Sequence, residues 1–181
     1  MQEAFPSHYL SDVVRQFRQL KALAEQAMAQ TNDDEFFMAL DEEANSIAVL
    51  VKHLAGSMRA RWTTFPNDTD EASSRDRDGE FALDAADSKR VLIEHWEAAW
   101  QCLFSVIEPL TAEDLAKTLH IRGRALSALE AINRQQVHYA YHVGQIVFLA
   151  KHFRSSTWQS LSIPRGKSAE FIAAAQRRRE V

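Results

Sequence analysis

Apolar residues return every third or fourth position along four long stretches of this sequence, a period that fits the α-helix and excludes the strict alternation of half-buried strands. In the first stretch, 9–30, Leu10, Val13, Phe17, Leu20, Ala24 and Ala27 line one face. A second runs over 42–62, with Asp41 as its expected cap and His53 in its middle. The third, 87–108, carries Leu92, Trp96, Ala99, Leu103 and Val106, with Asp87 as cap and Pro109 as stop. The fourth, 127–153, opens on Ser127-Ala128-Leu129-Glu130, a capping box. With five glycines and four prolines in 181 residues, turn signals are too sparse for a strand-rich architecture. The expectation is an all-α, single-domain chain, 1–181, folded as a four-helix bundle.

The connections are unequal. Thr31-Asn32-Asp33-Asp34 breaks the first helix, and 35–40 is expected to make a short turn. The segment 63–86 is polar and too long for an ordinary connection in a compact bundle, so it is either disordered or functional. Thr111 to Asp114 reads as the cap of a short connector, and 119–124 contains an extended stretch before Gly123. The last segment, 154–181, should dock through Trp158, Leu161 and Ile163, and Ser168 is its expected cap for a weakly specified final helix.

A formal charge of -4 argues against general binding to a phosphate backbone, and Arg177 to Arg179 read as a solvated tail. Neither nucleic acid nor membrane is expected as a partner. No run offers the roughly 18 apolar residues of a spanning helix, and the opening Met-Gln-Glu-Ala-Phe-Pro lacks the pattern of a leader. One cysteine, Cys102, excludes an internal disulfide framework and reads as a small buried hydrophobe in a cytoplasmic protein.

The chemistry-bearing pattern lies in the fourth stretch, where His138 and His142 stand four residues apart. On a helix they are about 40° apart around the axis and about 6 Å apart along it, so both rings can reach one ion. No charged residue falls between Arg134 and Lys151, so burial is expected around most of this helix. Buried imidazoles need partners, and a core histidine satisfied by an ordinary hydrogen bond is the plainer alternative to a ligand. His53 supplies the third ring. Its helical neighbours Ser46, Val49, Leu50, Gly56, Ser57 and Ala60 are mostly small and leave room opposite the pair. Three neutral imidazoles suit one divalent transition metal, zinc or nickel first and iron next, and leave a coordination position open.

Other motifs fail. Tyr139 stands where a zincin has its general-base Glu, and Leu161 stands where a phosphate loop before Gly166-Lys167-Ser168 needs glycine. His8, His95, His120 and His152 lack a matching spacing or lie too far along the helix.

Val51-Lys52-His53-Leu54-Ala55-Gly56 and His138-Tyr139-Ala140-Tyr141-His142-Val143-Gly144-Gln145-Ile146 resemble the three metal-ligand positions of the DinB-like superfamily, which includes the YfiT-like thiol transferases. Arg77-Asp78-Gly79-Glu80-Phe81 and the stretch from Trp158 to Ser168 resemble an uncharacterised bacterial subgroup of it. The resemblance implies an up-down-down-up bundle, His53, His138 and His142 as ligands, a homodimer, and transfer of a low-molecular-weight thiol to an electrophilic substrate. Arg165, Lys167 and Arg77 are then candidates for binding carboxylates of thiol or substrate. The same site could instead serve a hydrolase using water activated at the ion, or a non-enzymatic metal-binding and dimerisation module. For dimerisation, Leu129, Ile132, Val143 and Val147, opposite the histidines, are the expected surface.

Overall fold

A computed structural model describes residues 4–67 and 75–177. The chain is mostly helical, with one small two-stranded sheet, in the order α1 (Ala4–Met28), α2 (Asp33–Phe37), α3 (Ile47–Trp62), α4 (Lys89–Ile107), α5 (Ala112–Leu115), β1 (Thr118–Ile121), β2 (Arg124–Ser127), α6 (Ala128–Arg154) and α7 (Ser168–Arg177). The four long helices stand where the apolar period places them. Their ends differ in instructive ways.

Helix α1 begins five residues earlier than expected, because Pro6 falls in its first turn, where a missing N–H leaves no helical bond unmade. Helix α3 begins at Ile47, not 42: the Ser46 hydroxyl accepts from the Val49 N–H at 3.2 Å, while Asp41 caps a separate turn through the N–H groups of Glu43 and Ala44. Helix α4 likewise takes Ser88 as its cap rather than Asp87. The Asp87 carboxylate is used elsewhere, accepting from Lys52 Nζ at 2.7 Å. The capping box before α6 forms as expected, with Ser127 and Glu130 satisfying each other's backbone N–H groups.

Purely helical the chain is not. The extended stretch near 119–124 becomes a β-hairpin, with Leu119 opposite Leu126 and Ile121 opposite Arg124. Its two-residue turn, Arg122-Gly123, has positive φ at both positions, 52° and 73°, the combination that matches the right-handed twist of the flanking strands. Leu119 and Ile121 point into the core, so the hairpin lies against the helices by alternate side chains.

Helix α3 is the central element. Twelve of its sixteen residues are buried, leaving it apolar almost all round, as a helix covered on several sides must be. It packs chiefly on α4 and also on α6, while α1 packs chiefly on α6. Where these helices meet, Phe17, Trp62, Trp100 and Tyr139 form an aromatic cluster with ring centroids 5.8–6.3 Å apart, tied by a hydrogen bond from Trp62 Nε1 to the Tyr139 hydroxyl at 2.9 Å.

Two expectations about exposure are corrected. Ile132 and Val143 are fully buried and Leu129 and Val147 pack against the core, so they are not an outer surface. The charge-free part of α6 does have an open face, but it is Val137, Tyr141 and Phe148 that stand out, at 71%, 64% and 60% exposure. Helix α7 ends its described part at Arg177 and buries no residue, in keeping with its weak specification, while Arg178 and Arg179 lie outside the described residues. Among the described residues no helix is long and apolar enough to cross a membrane.

Candidate metal centre

Helix α3 brings His53, and α6 brings His138 and His142, to one point between them. The ring centroids are 4.8–5.3 Å apart with interplanar angles of 71–85°, so each ring presents an edge to the others. One nitrogen from each ring lies within 4.8 Å of the other two, a set that could hold a metal ion. His53 Nε2 and His138 Nε2 are 3.2 Å apart. Two nitrogens bound to one tetrahedral zinc at about 2.0–2.1 Å lie about 3.3–3.4 Å from each other, so this pair already has the required spacing. Drawing in the third ring takes a shift of about an ångström.

What fixes His53 comes from the long connection between α3 and α4. A 3-10 turn, Gly79–Phe81, carries Glu80 back against α3, and its Oε2 accepts from His53 Nδ1 at 2.9 Å. The proton thereby belongs on Nδ1, and Nε2 keeps its lone pair for the centre, the arrangement in which a carboxylate sets the tautomer of a ligating imidazole. Arg75 holds Glu80 in turn, its Nε and Nη2 donating to Oε1 and Oε2 at 2.7 Å each. Burial would raise the Glu80 pKa, but the hydrogen bonds from Arg75 and His53 outweigh it and hold the carboxyl below its ordinary value. The Phe81 ring lies 4.4 Å from that of His53 and covers it from the loop side.

The room expected beside His53, opposite the pair, lies instead at Gly56 on the Nδ1 side of the ring, and Glu80 fills it. A Cβ placed on Gly56 would come within 2.6 Å of Glu80 Oε1 and 2.8 Å of its Cδ, so only glycine admits the carboxylate. Lys52 fastens the same loop from the other side, donating to the Ala82 carbonyl at 2.8 Å as well as to Asp87.

His53 and His142 are 3% and 8% exposed, and His138 is half-buried. Burial, then the positive potential of the neighbouring rings and of Arg75 and Arg134, pulls the His138 pKa from 6.5 down to about 4. His142 falls to about 4 for the same first cause and through His53, with a side-chain contact from Gln145 offsetting part of it. That contact does not reach hydrogen-bonding geometry at Nδ1, which is buried without a partner. Two imidazoles kept neutral, and a buried ring nitrogen left unbonded, are what a cation would complete.

The rings open into a cavity of about 600 Å³. Its wall includes Phe81 from the loop, Ile121 and Arg122 from the hairpin, and Gln135, Val137 and Tyr141 from α6, with Arg61, Arg75, Arg77 and Arg134. Arg165, Lys167 and Cys102 do not line it, nor do His8, His95, His120 or His152. Sequence reasoning thus brought the three histidines together and missed Glu80 and most of the arginines. The signal was present in the loop's length and in the carboxylate that a ligating histidine calls for.

A family model described as a protein of unknown function, DUF1572, matches residues 4–167. The chain belongs to the DUF1572 family. The match spans α1 to α6 and so takes in all three histidines, Glu80 and the hairpin. Neither curated proteins nor solved structures gave a match to this DUF1572 chain.

Two outcomes follow for the metal-free protein. His138 and His142 bind protons more weakly folded than unfolded, so their contribution to stability is complete above pH 6.5 and is lost as the pH falls toward about 4. Thermal melts across that window should show a falling Tm, flattened by His138→Gln or His142→Gln; equal slopes in all three proteins would contradict it. In Gly56→Ala the methyl group displaces Glu80 from His53, and zinc titration should show an affinity about 10–100-fold weaker although every histidine remains. Wild-type affinity in that variant would remove Glu80 from the centre.

Proposed function

We propose that His53, His138 and His142 hold one divalent transition metal, zinc or nickel first and iron(II) next, and that this DUF1572 chain is a DinB-like four-helix-bundle enzyme. Its reaction, on this reading, is transfer of a low-molecular-weight thiol to an electrophilic substrate in the cytoplasm. The observation that carries the metal assignment is the convergence of three imidazoles, one of them with its tautomer set by Glu80. An all-nitrogen donor set favours a borderline transition metal over calcium or magnesium, which prefer oxygen.

Bound there, such an ion lowers the pKa of a coordinated thiol, so that its thiolate is available at neutral pH. The chain's own residues do the rest. Glu80 and Arg75 keep the His53 Nε2 lone pair aimed inward, Phe81 screens that ring from water, and the cavity beside the rings accommodates the reactants. Three protein ligands leave a position for one of them, which favours catalysis over a closed structural site. Hydrolysis at the same centre is the competing reaction.

Metal analysis of untagged protein should give one transition-metal ion per chain, absent from His53→Ala, His138→Ala and His142→Ala. With a thiol panel and monochlorobimane, the loaded protein should form the conjugate; turnover of an activated ester without thiol, and no conjugate with it, would leave the hydrolase. We also propose a homodimer through Val137, Tyr141 and Phe148, whose 4- and 7-residue spacing makes one apolar stripe on α6. Light scattering at micromolar concentration should give twice the 20.6 kDa chain mass, and a monomer mass would end that reading.

A further inference from the structure

The chain carries more acidic residues than basic ones, 25 against 21, yet five of the fourteen residues lining the cavity are arginines and none is acidic. Charge has been sorted. Glu80, bonded to His53, does not line the cavity and is fully engaged by Arg75 and His53. Arg75 is therefore neutralised in place. Among the described residues Arg77, Arg122 and Arg134 form no ion pair; elsewhere some arginines are paired, as Arg90 with Glu94 and Arg154 with Glu35, and others such as Arg59 and Arg124 are not, so what sets the three apart is that they share one cavity wall.

These three arrive from three different elements. Arg77 comes from the loop and lies over the Phe81 ring, its guanidinium carbon 5.2 Å from the centroid, within cation–π range. Arg134 is one helical turn before His138 and two before His142, on the same stripe of α6. Arg122 occupies the hairpin tip with φ of 52°, a left-handed position where Gly, Asn or Asp is the usual residue. An arginine accepted there, with its side chain on the cavity wall, points to use of the guanidinium and not of the turn.

We propose that the substrate of this centre is a small polyanion, with two or more carboxylate or phosphate groups, gripped by Arg77, Arg122 and Arg134 while its reacting part faces the three imidazoles. The last clause rests on the metal-centre reading; the grip on the anion does not. A cavity of about 600 Å³ is of the size that encloses a small molecule, and guanidinium forks can bond two oxygens of either anion type at once. A neutral substrate would leave three unpaired cations and a dication sharing one concave surface, where low-dielectric walls concentrate the field.

Calorimetry on the whole protein, metal-free and zinc-loaded, with propane-1,2,3-tricarboxylate, with pyrophosphate and with the uncharged tricarboxamide separates the outcomes. At least one polyanion should bind the metal-free protein with unit stoichiometry, more weakly as salt is raised, and Arg122→Gln and Arg134→Gln should each loosen it about tenfold. Both side chains are exposed, so neither change threatens the fold. Tighter tricarboxylate marks a carboxylate substrate and tighter pyrophosphate a phosphorylated one, and either supports the proposal. Polyanions that bind no better than the triamide, or keep full affinity in both variants, overturn it. Zinc stoichiometry measured on the same samples keeps the two readings apart: anion bound without zinc removes only the metal, and zinc bound without anion removes only the polyanion.

Discussion

The hydrogen bond between His53 and Glu80 is the contact through which the loop, the core helix and the candidate centre depend on one another. A buried imidazole on α3 would otherwise be free to choose its tautomer and orientation. A carboxylate brought against Nδ1 removes that freedom, and Arg75 removes the corresponding freedom of the carboxylate. The ionic members are all desolvated together, which is tolerable because each oxygen and each ring nitrogen involved has a partner. Gly56 belongs to the same device, since its missing side chain is the space in which the carboxylate lies.

The three histidines were legible in the sequence because helical periodicity converts spacing into direction. His138 and His142 share a face by their separation alone, and the small residues around His53 mark a gap. Glu80 was not legible in the same way. It lies 27 residues beyond His53 in a segment without periodicity, and nothing local says that the chain doubles back there. The helix starts were misplaced for a related reason. Asp41 and Asp87 are as good as Ser46 and Ser88 by capping preference, and what decides between Asp87 and Ser88 is Lys52, a partner on another helix that claims Asp87.

The uncharged run on α6 was read as burial, which holds for one side of the helix only. Lack of charge also describes a face that stays open, and the helix shows both: Ile132, Val143 and Ile146 are within the core, while Val137, Tyr141 and Phe148 face outward. The hairpin is the converse case. Its extended stretch could be seen, but pairing is a long-range property, and only the paired form puts Arg122 and Ile121 onto the wall beside the imidazoles.

With four residues per strand and a two-residue turn, the hairpin behaves as a ruler with one graduation. Exchanging the residue at its tip changes what the wall offers to a ligand while every neighbouring position stays put. Adding or deleting a residue on either strand would instead shift the pairing register and swing the tip away. The side chain at the tip is thus open to replacement, whereas the hairpin's length is tied to the core beneath it.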